Sequence, residues 1–269
     1  MGALDAIDSW GARTAAAGVV DRRGVQATHG PRDAVLRWAS ITKLVTGLAV
    51  LVAVEEGSVD LDEAAGPPGA TVRHLLAHAA GLGPDEGPPL MPPERRRIYS
   101  NYGIELVAAL VAERASMPFD AYLGAAVLEP LGLRGGLAGS AAWGYRGPLD
   151  DLLALAGELL APTLVAPETL AEATSVQFAG LAGVLPGYGR MDPNDWGLAF
   201  ELRDGKSPHW TAGTSSPRTF GHFGAAGTFL WVDPDRGLAC CVLTDREFGP
   251  WALDAWPALG DAVVAEYGS

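Results

Sequence analysis

The sequence predicts an α+β fold: an antiparallel sheet assembled from both ends of the chain, flanked by terminal helices, with an all-α subdomain inserted between them. Three observations predict it. Strand-like apolar runs occur over 18–28 and again over 196–243, while the middle of the chain reads as helices joined by Gly/Pro-rich connections. No internal repeat or low-complexity tract interrupts this order. Strands at both ends with helices between imply a discontinuous α/β sandwich domain, 1–58 with 175–269, and a helical subdomain, 59–174. A cleft between the two is the natural place for a site.

Each element has its own signal. Residues 3–17 carry helix-spaced apolar positions at Leu4, Ile7 and Trp10, then the helix-favouring run Ala15-Ala16-Ala17. Gly18 to Thr28 reads as two short strands around a turn. A helix headed by Ser40 is apolar on nearly every side from Leu44 to Val54 and ends near Gly57, so it is expected to be buried. Further helices are predicted over Val72–Ala79, Tyr102–Ala115, Phe119–Val127 and Asp150–Leu160, with a proline-rich loop from Gly81 to Pro93. Trp196–Leu202 alternates like a strand. Thr228–Val232 and Leu238–Leu243 flank Asp233-Pro234-Asp235-Arg236-Gly237 as a hairpin, and a helix closes the chain from about Trp251 to Tyr267.

The charge balance narrows the partners. A net charge of −13 argues against nucleic acid and anionic membrane, both of which need a basic surface. The apolar run beginning at Leu44 stops at Glu55-Glu56, short of a membrane span. The opening residues show neither a basic n-region nor an h-region, so a cytoplasmic location is expected. Cys240 and Cys241 are adjacent and read as small buried hydrophobes rather than a disulfide pair.

The lysines are the most pointed clue. Of 19 basic residues only Lys43 and Lys206 are lysine. Arginine does not deprotonate in a protein, whereas a buried lysine shifts its pKa readily and can take a proton. Ser40 and Lys43 are spaced to share one helix face, the arrangement that activates a serine without histidine. With 11 serines in 269 residues, a chance S-x-x-K is expected roughly 0.08 times. The plain alternative makes Ser40 a helix cap and Lys43 solvated surface, which the buried helix behind them disfavours.

Tyr99-Ser100-Asn101 stands at the start of a predicted helix, and only two asparagines exist in the chain. A phenol beside an ammonium has its anion stabilised and can act as a general base. Alone, Tyr99 is as well read as a half-buried aromatic and Asn101 as an N-cap. His222-Phe223-Gly224 precedes the late hairpin, at a strand edge where glycine permits close backbone approach.

In this order S-x-x-K, Y-x-N and H-x-G resemble the serine β-lactamase, penicillin-binding and carboxylesterase superfamily, in its class C β-lactamase-like branch. Supporting stretches are Leu75-Leu76-Ala77-His78-Ala79-Ala80-Gly81-Leu82, Glu129-Pro130-Leu131-Gly132-Leu133 and Ala166-Pro167-Glu168-Thr169-Leu170. The likeness runs from about Val35 to Arg246. It implies a β-lactamase/transpeptidase-like fold and a serine hydrolase acting on a small-molecule ester or amide, with no metal or organic cofactor. It implies Ser40 as nucleophile, Lys43 and Tyr99 sharing its proton, and Asn101 orienting lysine and substrate. The backbone N–H groups of Ser40 and Ala225 would form the oxyanion hole, beside His222 and Gly224. His74 and His78 are expected to be structural.

One departure matters. Where β-lactamases of this branch have Lys-Thr-Gly, the chain has His222-Phe223-Gly224, so the cleft is expected to lack a fixed cation and to gain apolar wall from Phe223. That favours uncharged esters over β-lactams and DD-peptides. A β-lactamase or DD-peptidase proper, and a non-catalytic ligand-binding member, are the alternatives.

Overall fold

The computed structural model describes residues 2–268. A 3-10 helix (Ala3–Ser9) leads into β1 (Ala15–Asp21) and β2 (Gly24–His29), then β3 (Leu36–Arg37) and α1 (Thr42–Glu55). The helical middle comprises α2 (Val72–Leu76), α3 (Asn101–Ala115) and α4 (Phe119–Leu123), the last continued by one π-helical turn to Leu128. Short β4 (Gly136–Leu137) and β5 (Tyr145–Gly147) precede α5 (Leu149–Leu160) and α6 (Pro167–Ala173). The chain closes through β6 (Gly183–Leu185), β7 (Gly189–Met191), β8 (Glu201–Leu202), β9 (Phe220–Gly224), β10 (Thr228–Asp233), β11 (Leu238–Thr244) and α7 (Pro250–Tyr267).

The main sheet has six strands in the order β2-β1-β11-β10-β9-β8, all antiparallel. Both faces are covered. Phe229 and Trp231 of β10 face one core with Leu4, Ile7 and Trp256, whereas Leu230 and Val232 face the other with helical residues such as Leu48 and Leu152. Burial on both faces is why β10 and β11 read as unbroken apolar runs instead of alternating ones. Cys240 and Cys241 are buried on opposite faces by the same pleat. Among the described residues no helix is long and apolar enough to cross a membrane.

Two expectations about local structure are corrected. Ala15-Ala16-Ala17 belongs to β1, paired opposite Thr244, Leu243 and Val242. Small side chains suit this strand because α5 lies close: a Cβ on Gly18 would come within 2.5 Å of Leu153. Tertiary packing thus overrides alanine's helix preference. The alternating stretch from Trp196 is not one strand. Gly197 N–H donates to the Phe200 carbonyl, Ala199 has φ +66°, and only Glu201–Leu202 pairs with β9. Helix α5, which falls inside the expected helical subdomain 59–174, packs on β1, β10 and β11.

The second lysine is accounted for here. Lys206 is buried, donating to the Asp195 and Leu202 carbonyls and paired with Glu201, which also meets His209 Nε2 at 3.0 Å. This group holds the loop after β8 against the sheet.

Candidate active site

Ser40 sits in a single 3-10 turn, Ala39–Ile41, just ahead of α1 rather than inside it. Ala39 has φ +49°, an uncommon conformation for a residue with a Cβ, and it turns the chain sharply into the helix. Strand β9 comes right up to this turn. A Cβ on Gly224 would lie 2.5 Å from the Trp38 carbonyl and 3.0 Å from the Ala39 Cβ. Glycine is therefore what allows β9 to deliver Ala225 beside Ser40, and both line one cavity of about 390 Å³.

The expected side chains converge. Ser40 Oγ accepts a 2.8 Å hydrogen bond from the Tyr99 phenol, and Lys43 Nζ lies 3.4 Å from the same oxygen. Lys43 also donates to Asn101 Oδ1 at 2.7 Å and to the Ala142 carbonyl at 2.9 Å. Asn101 is not the N-cap of α3. Ser100 takes that position, its Oγ accepting from Gly103 N–H at 3.0 Å, which leaves the neighbouring amide side chain free for the lysine. Glu105, one turn further on, bonds Ser140 and holds the loop that presents the Ala142 carbonyl.

Burial sets the protonation states. Lys43 is wholly buried, and desolvation lowers its pKa to about 7 against the opposing pull of Glu105. Burial pushes the Tyr99 phenol far above its usual range, with the Ser40 hydrogen bond opposing only in part. This corrects the expectation of a stabilised phenolate: Lys43 Nζ stands over the ring face, 4.7 Å from its centroid, and gives Tyr99 no hydrogen bond. The lysine is the group poised to accept a proton, and the phenol stays a donor.

His222 and Phe223 do not line the cavity. His222 is 3% exposed; its Nδ1 bonds the Phe223 carbonyl at 2.7 Å, so its Nε2 presents a lone pair 3.5 Å from the Tyr99 hydroxyl. Desolvation, with Lys43 nearby, lowers its pKa to about 3. Phe223 points into the aromatic core among Tyr188, Trp210, Phe248 and Trp256, because successive strand residues face opposite ways. The expected apolar wall from Phe223 is thus absent. Nor is the cavity without cations: Arg37 and Arg146 line it, with Trp143. Sequence reasoning missed these two arginines because each lies outside any motif, and only the β3–β5 pairing brings them together.

His78, expected to be structural, is buried beside the site, its ring 4.8 Å from Tyr99 and 4.7 Å from Trp196. Burial, with Lys43 and His222 close by, keeps it neutral. His74 bonds Glu94 at 3.0 Å. Among the described residues no three His, Cys, Asp or Glu side chains converge as a metal site needs.

A family model described as Beta-lactamase matches residues 5–264. The chain belongs to the beta-lactamase family. A crystal structure described as a beta-lactamase from Mycobacterium bovis is 52% identical, covers 99% of this chain and 100% of its own, and superposes with a TM-score of 0.98. More distant members of the fold include simvastatin synthase LovD from Aspergillus terreus in a mutant form, at 17% identity, 98% and 93% coverage and TM-score 0.77. EstCE1, a hydrolase with promiscuous acyltransferase activity, matches at 18% identity, 97% and 96% coverage and TM-score 0.79. At these identities the two establish the fold alone. No curated protein matches. The beta-lactamase fold, an antiparallel sheet with helices on both faces, is the architecture described above.

Proposed function

We propose that this protein is a serine hydrolase that cleaves a small-molecule ester or amide through an acyl-enzyme on Ser40. The observation that carries the reading is the convergence on one oxygen. Ser40 Oγ meets a phenol held protonated by burial and a lysine whose pKa of about 7 leaves much of it neutral at physiological pH.

In the proposed sequence, neutral Lys43 takes the Ser40 proton as Oγ bonds to the substrate carbonyl carbon. The carbonyl electrons move to oxygen, where the backbone N–H groups of Ser40 and Ala225 would receive the charge. The intermediate collapses, the bond to the leaving group breaks, and that group takes a proton back from the Lys43–Tyr99 pair. Water, deprotonated by Lys43, then attacks the acyl carbon; the bond to Ser40 Oγ breaks, and Lys43 returns the proton to Oγ, restoring the starting state. Asn101 fixes Lys43 through its 2.7 Å hydrogen bond.

Intact-mass analysis after exposure to a fluorophosphonate tests the reading. A single adduct should map to Ser40 and vanish in Ser40→Ala. Labelling of another serine overturns the assignment of Ser40; no labelling overturns the reading and favours a non-catalytic member of the family. A second reading, turnover of β-lactams, is supported by the 52% identity to a protein described as a beta-lactamase. Nitrocefin on the same preparation separates the two.

A further inference from the structure

We infer that the mouth of the Ser40 cavity binds an anionic oxygen group, carboxylate or phosphate, on a substrate whose apolar part rests on Trp143. This rests on the hydrolase reading and names its substrate class.

Strands β3 and β5 place Arg37 directly opposite Arg146. Like charges facing each other across a strand pair are destabilising, and nothing in the local fold requires them, since both side chains are exposed. Ten residues line the cavity, and the two charged ones are these arginines. In a chain of net charge −13, a binding cavity whose charged lining is wholly positive runs against the general balance. Arg37 has one partner, Glu247 at 3.1 Å, in a pair whose side chains are 58% and 75% exposed; such pairs contribute little. Arg146 makes no side-chain hydrogen bond or ion pair among the described residues.

A guanidinium presents a planar fork of donors matched to carboxylate or phosphate. Next to it, in the turn whose Gly144 N–H donates to the Ser140 carbonyl, Trp143 stands 54% exposed on the cavity wall. A rigid indole left open beside a free guanidinium offers one apolar and one ionic contact to the same molecule. The cation missing from the H-x-G strand is thus supplied from a different wall.

The test compares kcat/KM for mono-4-nitrophenyl adipate with that for 4-nitrophenyl hexanoate, its uncharged counterpart. The adipate should be preferred by about tenfold or more, the worth of one charge-assisted contact. The preference should disappear in Arg146→Ala, invert in Arg146→Glu, and shrink with added NaCl. Equal use of the two esters, or a ratio unmoved by Arg146→Ala, overturns the inference while leaving the Ser40 chemistry standing. If neither ester is cleaved, the fluorophosphonate experiment decides the hydrolase reading and calorimetry decides the anion site. 3-Phenylpropionate must then bind more tightly than 3-phenylpropanamide, and through Arg146, or the inference falls. Phenyl phosphate in the same titration distinguishes the sources: tighter binding than 3-phenylpropionate assigns the group as phosphate, weaker as carboxylate.

Discussion

Lys43 Nζ and Asn101 Oδ1 stand 2.7 Å apart although 58 positions separate them in the chain. The contact joins the buried helix α1 to the first turn of α3, and it fixes the amine beneath Ser40. Because the same amine is desolvated, its pKa lies near 7 instead of the usual 10.5.

That shift has a signed consequence for activity. Below about pH 7 the ammonium keeps its extra proton and cannot accept one from Ser40; above it the neutral amine is the competent form. For an uncharged ester kcat/KM should rise with pH through an apparent pKa of about 7 and level off at higher pH. Lys43→Arg, which cannot deprotonate, should lose about 10³-fold or more with the fold retained by circular dichroism. A profile flat between roughly pH 5.5 and 8 would remove Lys43 from the role of base.

Tyr99→Phe deletes the hydroxyl that donates to Ser40 Oγ at 2.8 Å while keeping the ring packed against His78 and Trp196. The acylation rate should fall by about 10²–10⁴-fold, the range for a positioned proton-transfer group. Stopped-flow measurement of acylation checks this, and an unchanged rate means the proton travels another way.

Gly224→Ala puts a methyl 2.5 Å from the Trp38 carbonyl, so β9 must withdraw from the Ser40 turn. Ala225 moves with it. Displacement of the reacting geometry by about 1 Å costs on the order of 10²-fold, and kcat should carry that loss more than KM. Unchanged kcat would show that the position of Ala225 is immaterial.

Away from the site, Glu201→Gln removes the charge that pairs with buried Lys206 and meets His209. Taking one partner from a buried pair costs about 3–5 kcal/mol, readable as a lower urea midpoint at constant m. A shift worth under about 1 kcal/mol would mean the pair is replaced by water or by a neutral lysine at little expense.

Several features were legible in the chain because they are local. The buried character of α1 follows from its unbroken apolar run, and the β10–β11 hairpin from two such runs around Asp233–Gly237. Ser40 and Lys43 lie three residues apart, so helical geometry alone brings them near each other. Strand runs at both ends with helices between them pointed to the α+β architecture, and the order of S-x-x-K, Y-x-N and H-x-G pointed to the family.

What only the tertiary structure decided depends on contacts between distant segments and on burial. Ala15–Ala17 became strand because β11 and α5 surround it, which no helix propensity records. The phenol of Tyr99 rose and the amine of Lys43 fell because both lost water, reversing the sharing of roles that charge proximity alone suggested. Phe223 turned into the core because the pleat sends neighbours to opposite faces, and which face meets the cleft depends on the whole sheet. Arg37 and Arg146, 109 positions apart, share the cavity mouth only through the pairing of two short strands. A pattern read along the chain picks out the groups that meet at the candidate site; desolvation and long-range register determine their protonation and their companions.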